Sequence, residues 1–387
     1  MKYRLEKIFD LQMGKTPSRS NTEYWNTKDH KWISIADLSK CGKYIEQTKE
    51  YLSNRAIEES GISQIPANTV VMSFKLSIGR TAITSEPMYS NEAIMSFRDK
   101  KIIDILPDYI YYMFSEINWN EGSNNAVMGK TLNKATLSKI KVDIHSLSEQ
   151  RKIVEILDKV SSIIDDRQSE LLKLNDLIKA RFVEMFGDPV DNPMGWEKKI
   201  LQDVVTDDCS ISYGIVQTGD NQEKGVPVFR PVDIVNHVPK LKELKKTTEE
   251  ISNKYKKTIL KGREMLITVR ANIADTCIIG EEFKGCNVGR GIVPIRTKEN
   301  IVILEFLKYL MDSKHLNDEI KSKAKGITLI QLNMEDLRKI ELIVPPIEKQ
   351  ITFVKFAEQV NKSKFEVQKA LDKTQILFDS LMQKYFG

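Results

Sequence analysis

The string MGKT occurs twice, at 13–16 and at 128–131, and a Gly-Lys-Thr invites comparison with loops that cradle phosphates. Such a loop needs another glycine five residues earlier, so that backbone N–H groups can close around the phosphates. Phe9 and Asn124 stand at those places, and Gly122 is out of step by two. The spacing argues against an ATP site. Other chemistry fares no better. The chain has no His-Glu-x-x-His run, no nucleophile elbow and no Asp-Pro-Pro-Tyr or Asn-Pro-Pro-Tyr tetrapeptide. NPMG (192–195) and VPPI (344–347) suit a linker and a helix start. No glycine-rich fingerprint lies between a strand and a helix to hold S-adenosylmethionine. Cys41, Cys209, Cys277 and Cys286 form no CxxC pair and the four histidines stand alone, so no metal site is expected. The sequence reads as non-catalytic.

What remains is basic residues in loop-like settings. Lys240 to Glu264 carries nine basic residues against four acidic ones, and Lys321, Lys323 and Lys325 follow in KSKAKG. Lysines of this kind neutralise phosphates without reading sequence; a solvated face is the alternative for any one of them. Lys75 and Arg80 in SFKLSIGR, and Arg270 in TVRAN, stand beside apolar strand residues and small polar ones. That setting can hold a cation firmly enough to read a base edge, although a rim or buried ion pair would use the same residues.

Two domains must position them, since 387 residues exceed one ordinary domain. The net charge of +5 is mild and by itself permits rather than demands a nucleic-acid partner. Free thiols fit a reducing cytoplasm. The N-terminus has no apolar signal-like core and no run approaches 18 apolar residues, so a cytoplasmic location without membrane contact is expected.

The chain repeats itself with a 200-residue step. Residues 132–187 laid over 332–387 without a gap share fourteen of 56 positions. KIKVDI (139–144) and KIELIV (339–344) both alternate like half-buried strands. Ser146 with Glu149 predicts a capping box, Pro346 suits a first helical turn, and Gly187 and Gly387 are placed as helix stops. Earlier segments repeat more loosely: WISIADL (32–38) over VFRPVDI (228–234), SFKLSIGRTAI (73–83) over TVRANIADTCI (268–278), PDYIYYMF (107–114) over LEFLKYLM (304–311), and GKTL (129–132) over GITL (326–329).

The two copies after these segments are long helices. Leu157, Val160, Ile164, Leu171, Leu174 and Ile178 mark an apolar stripe on the first; Phe353, Val360, Val367, Leu371, Phe378 and Leu381 mark one on the second. Sustained over about five heptads, the stripes predict a coiled-coil seam rather than helices lying on globular cores. About 38 helical residues span roughly 57 Å. An antiparallel pair would form a bar with one domain at each end. The expected organisation is 1–145 domain 1, 146–187 first spacer helix, 188–345 domain 2 and 346–387 second spacer helix.

In order of parts over the whole chain, this sequence resembles the specificity (S) subunits of type I restriction-modification systems. The resemblance is carried by YWNTKDHKWISIADL (24–38), SFKLSIGRTAI (73–83), GKTLN (129–133), LSEQRKIVEIL (147–157), FGDPVDNPMGWE (186–197) and the second helix start at 347–357. It implies an α+β fold: two target recognition domains of mixed α/β content, separated by two long antiparallel helices in a coiled coil, with internal pseudo-twofold duplication. Each domain would read one half of a bipartite, asymmetric double-stranded DNA target. Two methyltransferase (M) subunits would dock on the spacer helices and restriction (R) subunits would complete the complex. S-adenosylmethionine, ATP and magnesium would belong to those partners and no cofactor to this chain. Carried over by position, the DNA-facing residues are Lys15, Thr16, Lys75, Ser77, Arg80, Lys130, Thr131 and Asn133 in the first domain. In the second they are Tyr213, Arg230, Arg270, Asn272, Arg290, Lys325 and Thr328. NIAD (272–275) replaces SIGR (77–80), which puts an Arg80-type role in doubt there and leaves Arg290 as the substitute. Two rival readings are a specificity chain for a fused nuclease–methyltransferase, and a coiled-coil scaffold that binds no DNA.

Overall fold

The computed structural model describes every residue except Asn26, Leu76, 120–123, 127–128, 235–239 and 327–329; the side chains at 124–126 and 129–131 also lie outside it. The chain folds as two units, Met1–Gln168 with Lys369–Gly387, and Ser169–Gln368. Each unit therefore takes the beginning of one long helix and the end of the other.

In the first unit a five-stranded sheet runs in the order Phe9–Met13, Ile94–Asp99, Val70–Ser73, Thr81–Thr84, Tyr44–Ile45. All neighbours are antiparallel except the last pair. VVMS (70–73) is buried along its whole length, which is why its β-branched run carries no polar alternation. Helix Pro107–Glu116 covers this sheet with Tyr109, Tyr112, Met113 and Phe114 buried, and the Phe97 and Phe114 rings meet edge-on at 4.8 Å. A smaller sheet sets His30–Ile33 between Glu50–Leu52 and a parallel partner, Tyr89–Ser90. The ribbon Lys2–Arg4 with Lys141–Asp143 leads into the first long helix.

The second unit repeats this plan. Met265–Thr268 lies between Thr276–Ile278 and Ile292–Ile295, while Val226–Phe229 lies between Lys245–Thr247 and a parallel Asn287–Val288. Lys198–Ile200 pairs with Glu341–Ile343 ahead of the second long helix. The expected strands at 139–144 and 339–344 are shorter than read. Lys139 closes the helix Lys134–Lys139, because Asn133 caps that helix and its last turn consumes the first residues of the alternation.

The long helices run Leu147–Phe186 and Ile347–Phe386. At the first, Ser146 N–H donates to Glu149 Oε2 (3.0 Å) and Glu149 N–H to Ser146 Oγ (3.4 Å). Gly187, at φ +72°, donates to the Val183 carbonyl at 2.8 Å and ends it. One device fixes both helices to their domains. Gln150 is fully buried; its Oε1 accepts from Leu106 N–H (2.9 Å), and its Nε2 donates to the Asp104 and His145 carbonyls (both 3.0 Å). Gln350 makes the same three bonds to Ile303 N–H and the Ile301 and Pro345 carbonyls.

The seam reading needs correcting in one respect: the helix ends also belong to the globular cores. Ile153 and Leu157, with Met382 of the other helix, pack into the first unit's core beside Phe9 and Phe97. Phe182, Phe186 and Phe353 do so in the second, with Phe182 and Phe353 rings 5.4 Å apart. Val160, Ile164, Ile178, Val360 and Val367 are buried, whereas Leu171, Leu174, Leu371, Phe378 and Leu381 are half-buried. All four cysteines are free thiols. Among the described residues no helix is long and apolar enough to cross a membrane.

Candidate nucleic-acid interface

Each unit gathers three loops at one edge of its main sheet, and the backbone pattern is the same in both. The first loop follows Val70–Ser73 or Met265–Thr268. Ser73 Oγ donates to the Ser77 carbonyl and accepts from Arg80 N–H at 3.2 Å. Thr268 Oγ1 donates to the Asn272 carbonyl and accepts from Asp275 N–H at 3.0 Å. Ser77 therefore matches Asn272, and Arg80 matches Asp275. Between them Gly79 has φ +88°, and a Cβ there would sit 2.7 Å from Trp119 Cδ1. Ala274 keeps the same left-handed turn at φ +66°, with Ala271 at +60° just before it, a conformation that costs an L-residue about 1 kcal/mol or more.

The second loop is a four-residue turn, Asn91–Ile94 or Gly289–Ile292. Asn91 N–H donates to the Ile33 carbonyl (3.1 Å) and Gly289 N–H to the Phe229 carbonyl (2.8 Å). Phe74 N–H donates to the Ala93 carbonyl (3.0 Å) and Val269 N–H to the Gly291 carbonyl (2.8 Å). Glu92 in one unit thus holds the place of Arg290 in the other. The 13–16 segment crosses this turn. A Cβ at Gly14 would lie 2.1 Å from the Ser90 carbonyl oxygen, and one at Gly214 2.1 Å from that of Val288. The glycine of the first MGKT serves this crossing of two backbones.

The third loop corrects the sequence register. Leu132 N–H donates to the Phe74 carbonyl and Leu332 N–H to the Val269 carbonyl, both at 3.0 Å. The gapless 200-residue step thus continues to Thr131 over Gln331, and GKTL does not match GITL. Gln331 joins two expected site residues. Its Oε1 accepts from Arg270 Nε at 2.5 Å, and its Nε2 donates to the Tyr213 hydroxyl.

A family model described as the type I restriction modification DNA specificity domain matches residues 1–174 and 193–376. The chain belongs to this family. The EcoBI specificity subunit of the type I restriction enzyme from Escherichia coli is 24% identical over 401 residues, covering 95% of this chain and 81% of the relative. The MjaIX specificity subunit of Methanocaldococcus jannaschii is 24% identical over 379 residues, covering 89% and 82%. The S subunit from M. genitalium has a similar fold, with a TM-score of 0.58 and 11% identity over 100% of this chain and 96% of that one. A structure solved for complex assembly and conformational transition of the type I R-M system gives 0.64 and 16% over 100% and 97%.

In this specificity chain the expected contact residues fall into two groups. Ser77, Arg80, Asn272 and Arg290 are exposed, and Lys75 is half-buried with its amine 5.5 Å from the Phe74 ring centre. The others already have partners. Lys15 Nζ donates to the Ser60 carbonyl at 2.5 Å, and Thr16 Oγ1 donates to Glu92. Asn133 Oδ1 caps a helix through Thr136 N–H at 2.8 Å. Arg230 forks onto Asp233 with contacts of 3.1 and 2.9 Å. Lys325 lies 3.8 Å from Asp336 with its side chain largely in solvent. Arg290 belongs to the second loop and does not occupy the Arg80 place, which Asp275 fills. Lys130 and Thr131 lie on the strand Gly129–Thr131, with side chains outside the described set, and Thr328 lies outside the described residues altogether.

Glu92 and Gln331 were not singled out from sequence. Neither sits in a charged run, and only the crossing loops bring them beside Thr16 and Arg270. Burial pushes the Glu92 carboxyl up, but the Thr16 hydroxyl, the backbone and the Lys75 and Arg19 charges together hold it below its ordinary value. Away from these loops Asp188, Asp191 and His315 bring ligand atoms within 4.8 Å of one another, a grouping that chain spacing did not reveal. Asp188 is already engaged there by His315 Nδ1 and by the Val190 N–H at 2.9 Å.

Proposed function

We propose that this chain is the DNA-reading subunit of a type I restriction-modification complex, each unit reading one half of a bipartite, asymmetric target. The observation that carries the reading is that both units build the same three-loop edge on the same hydrogen bonds and furnish it with different side chains: Lys75, Arg80 and Glu92 against Arg270, Asp275 and Arg290. One scaffold with two sets of side chains suits two unlike half-sites. The long helices would set the gap between halves and dock two methyltransferase subunits. Large apolar side chains on their outer faces support docking: Leu172 (66% exposed) and Val183 (58%) on the first helix, Phe365 (66%) and Ile376 (68%) on the second. Beside Leu172 and Val183 the second unit has an open groove of about 1050 Å³ that also reaches Phe182, Val354 and Tyr309. Adenine-N6 methyl transfer with S-adenosylmethionine, and ATP- and magnesium-dependent cleavage by restriction subunits, belong in this reading to the partners. The test is duplex DNA binding by the chain assembled with its methyltransferase, measured against salt. The reading expects affinity to fall steeply and linearly in log–log form as phosphate contacts release counterions. A complex that binds no DNA at low salt would favour a scaffold instead.

A further inference from the structure

Resting on that reading, we infer that the turn Asn91–Ile94 and its counterpart Gly289–Ile292 each carry a base-reading side chain of opposite sign. Glu92 takes the N4 amino group of a cytosine, and Arg290 takes the O6/N7 edge of a guanine. Four observations lead there. The two residues hold one backbone position, fixed by the matched bonds of Asn91 and Gly289 and of Ala93 and Gly291. Both are exposed, next to Lys75 and Arg270.

The third observation is how Glu92 is held. A carboxylate on a DNA-facing edge repels phosphate, so it is tolerated only where it finds donors. Thr16 Oγ1 supplies one and the backbone another, which aim the group while it stays exposed. In the major groove thymine and guanine present acceptors at the positions that distinguish them, and adenine places its N7 acceptor beside N6; cytosine presents the N4 donor alone. A fixed carboxylate therefore selects cytosine. The fourth observation is the absence of any such tether on Arg290. Val216 stands where Thr16 does by the 200-residue step, and Arg290 makes no side-chain hydrogen bond or ion pair with another described residue. Its neighbours are glycines, and a Cβ at Gly291 would strike Pro231 Cγ at 2.4 Å and approach Arg270 Cβ at 3.3 Å. An exposed arginine with no side-chain partner among the described residues calls for acceptors, and the paired acceptors of guanine match an arginine fork.

The test is N6-methyladenine mapping in a methylation-free host that makes the full chain with its methyltransferase. Wild type, Glu92→Gln, Arg290→Gln and Thr16→Val are compared. Glutamine pairs with adenine N6 and N7, so E92Q should lose roughly tenfold to a hundredfold of its preference for cytosine over adenine at one position. That position lies in one half only. R290Q should do the same for guanine over adenine in the other half, and T16V, which loosens the carboxylate without removing it, should still prefer cytosine but by a smaller margin. If Glu92 only braced the loop, T16V and E92Q would behave alike and neither would change a base preference. Where a variant methylates nothing, duplexes carrying the wild-type target with each pair replaced in turn are competed for binding; equal loss on all of them overturns the proposal. So does a motif unchanged in both variants, or a change in the wrong half. A wild-type complex with no two-part motif would instead refute the underlying reading.

Discussion

Arg270 and Tyr213 share one amide. With Gln331 accepting from Arg270 Nε and donating to the Tyr213 hydroxyl, the outer nitrogens of Arg270 are aimed rather than free to sweep. Gln331→Leu should leave the fold intact, at a cost of about 1 kcal/mol for the two bonds. It should slow methylation roughly tenfold through the second unit's half-site, measured as initial rates on duplexes altered in either half. Equal slowing on both would show a general defect. At Ala271, exposed and at φ +60°, glycine should stabilise the second unit by about 0.5–1 kcal/mol, read as a rise in Tm. Arg270 and Lys75 could be singled out as candidates from sequence because a cation flanked by apolar strand residues stands out. Glu92 and Gln331 could not be, because their hydrogen-bond partners Thr16 and Arg270 lie about 60 or more residues away in the chain. GITL also drew the register off by mimicking GKTL with residues that do not occupy the same place.

At the scale of elements, each long helix is pinned by a buried glutamine that satisfies one backbone N–H and two carbonyls. Gln150→Leu or Gln350→Leu leaves those groups unpaired in the core, and each should cost about 2–4 kcal/mol; a denaturation midpoint within error of wild type would contradict this. In the first unit Lys43 bridges Asp108 (2.5 Å) on the helix Pro107–Glu116 and Asp158 (2.7 Å) on the long helix. Burial pushes the Asp108 carboxyl up, but the hydrogen bonds from Lys43 and Tyr44 and the Lys43 charge outweigh it and hold it below its usual value. The folded state thus binds this proton less readily than the unfolded chain. Its contribution is present above about pH 4 and disappears as pH falls through the lowered value. Lys43→Met should therefore cost about 1–2 kcal/mol at neutral pH, the pair being partly exposed, and should flatten the acid limb of stability against pH. The helices themselves were legible from a 3–4 apolar spacing, and the duplication from coincident periodicity. That their ends enter the globular cores was not legible, because an apolar stripe says that something covers it and not what.

For the whole molecule, the proposed reading of DNA by two diverged units on one chain predicts an asymmetric target, and the long helices predict a fixed gap. Leu171 and Leu371 are both half-buried mid-helix positions, and replacing both with aspartate should abolish modification; undiminished methylation would remove the helices from any spacing role. The duplicated order, together with strings such as SFKLSIGRTAI (73–83) and LSEQRKIVEIL (147–157), made the family legible from sequence. Which bases the proposed reading would involve was not, since that depends on side-chain placement that only crossing loops fix. The most direct measurement is long-read mapping of N6-methyladenine in a methylation-free host, expressing the methyltransferase alone and then with this chain. New methylation only with the chain, at a two-part asymmetric motif of constant gap, is the result predicted. No new methylation from a soluble, associated pair, or a motif with identical halves, would contradict it.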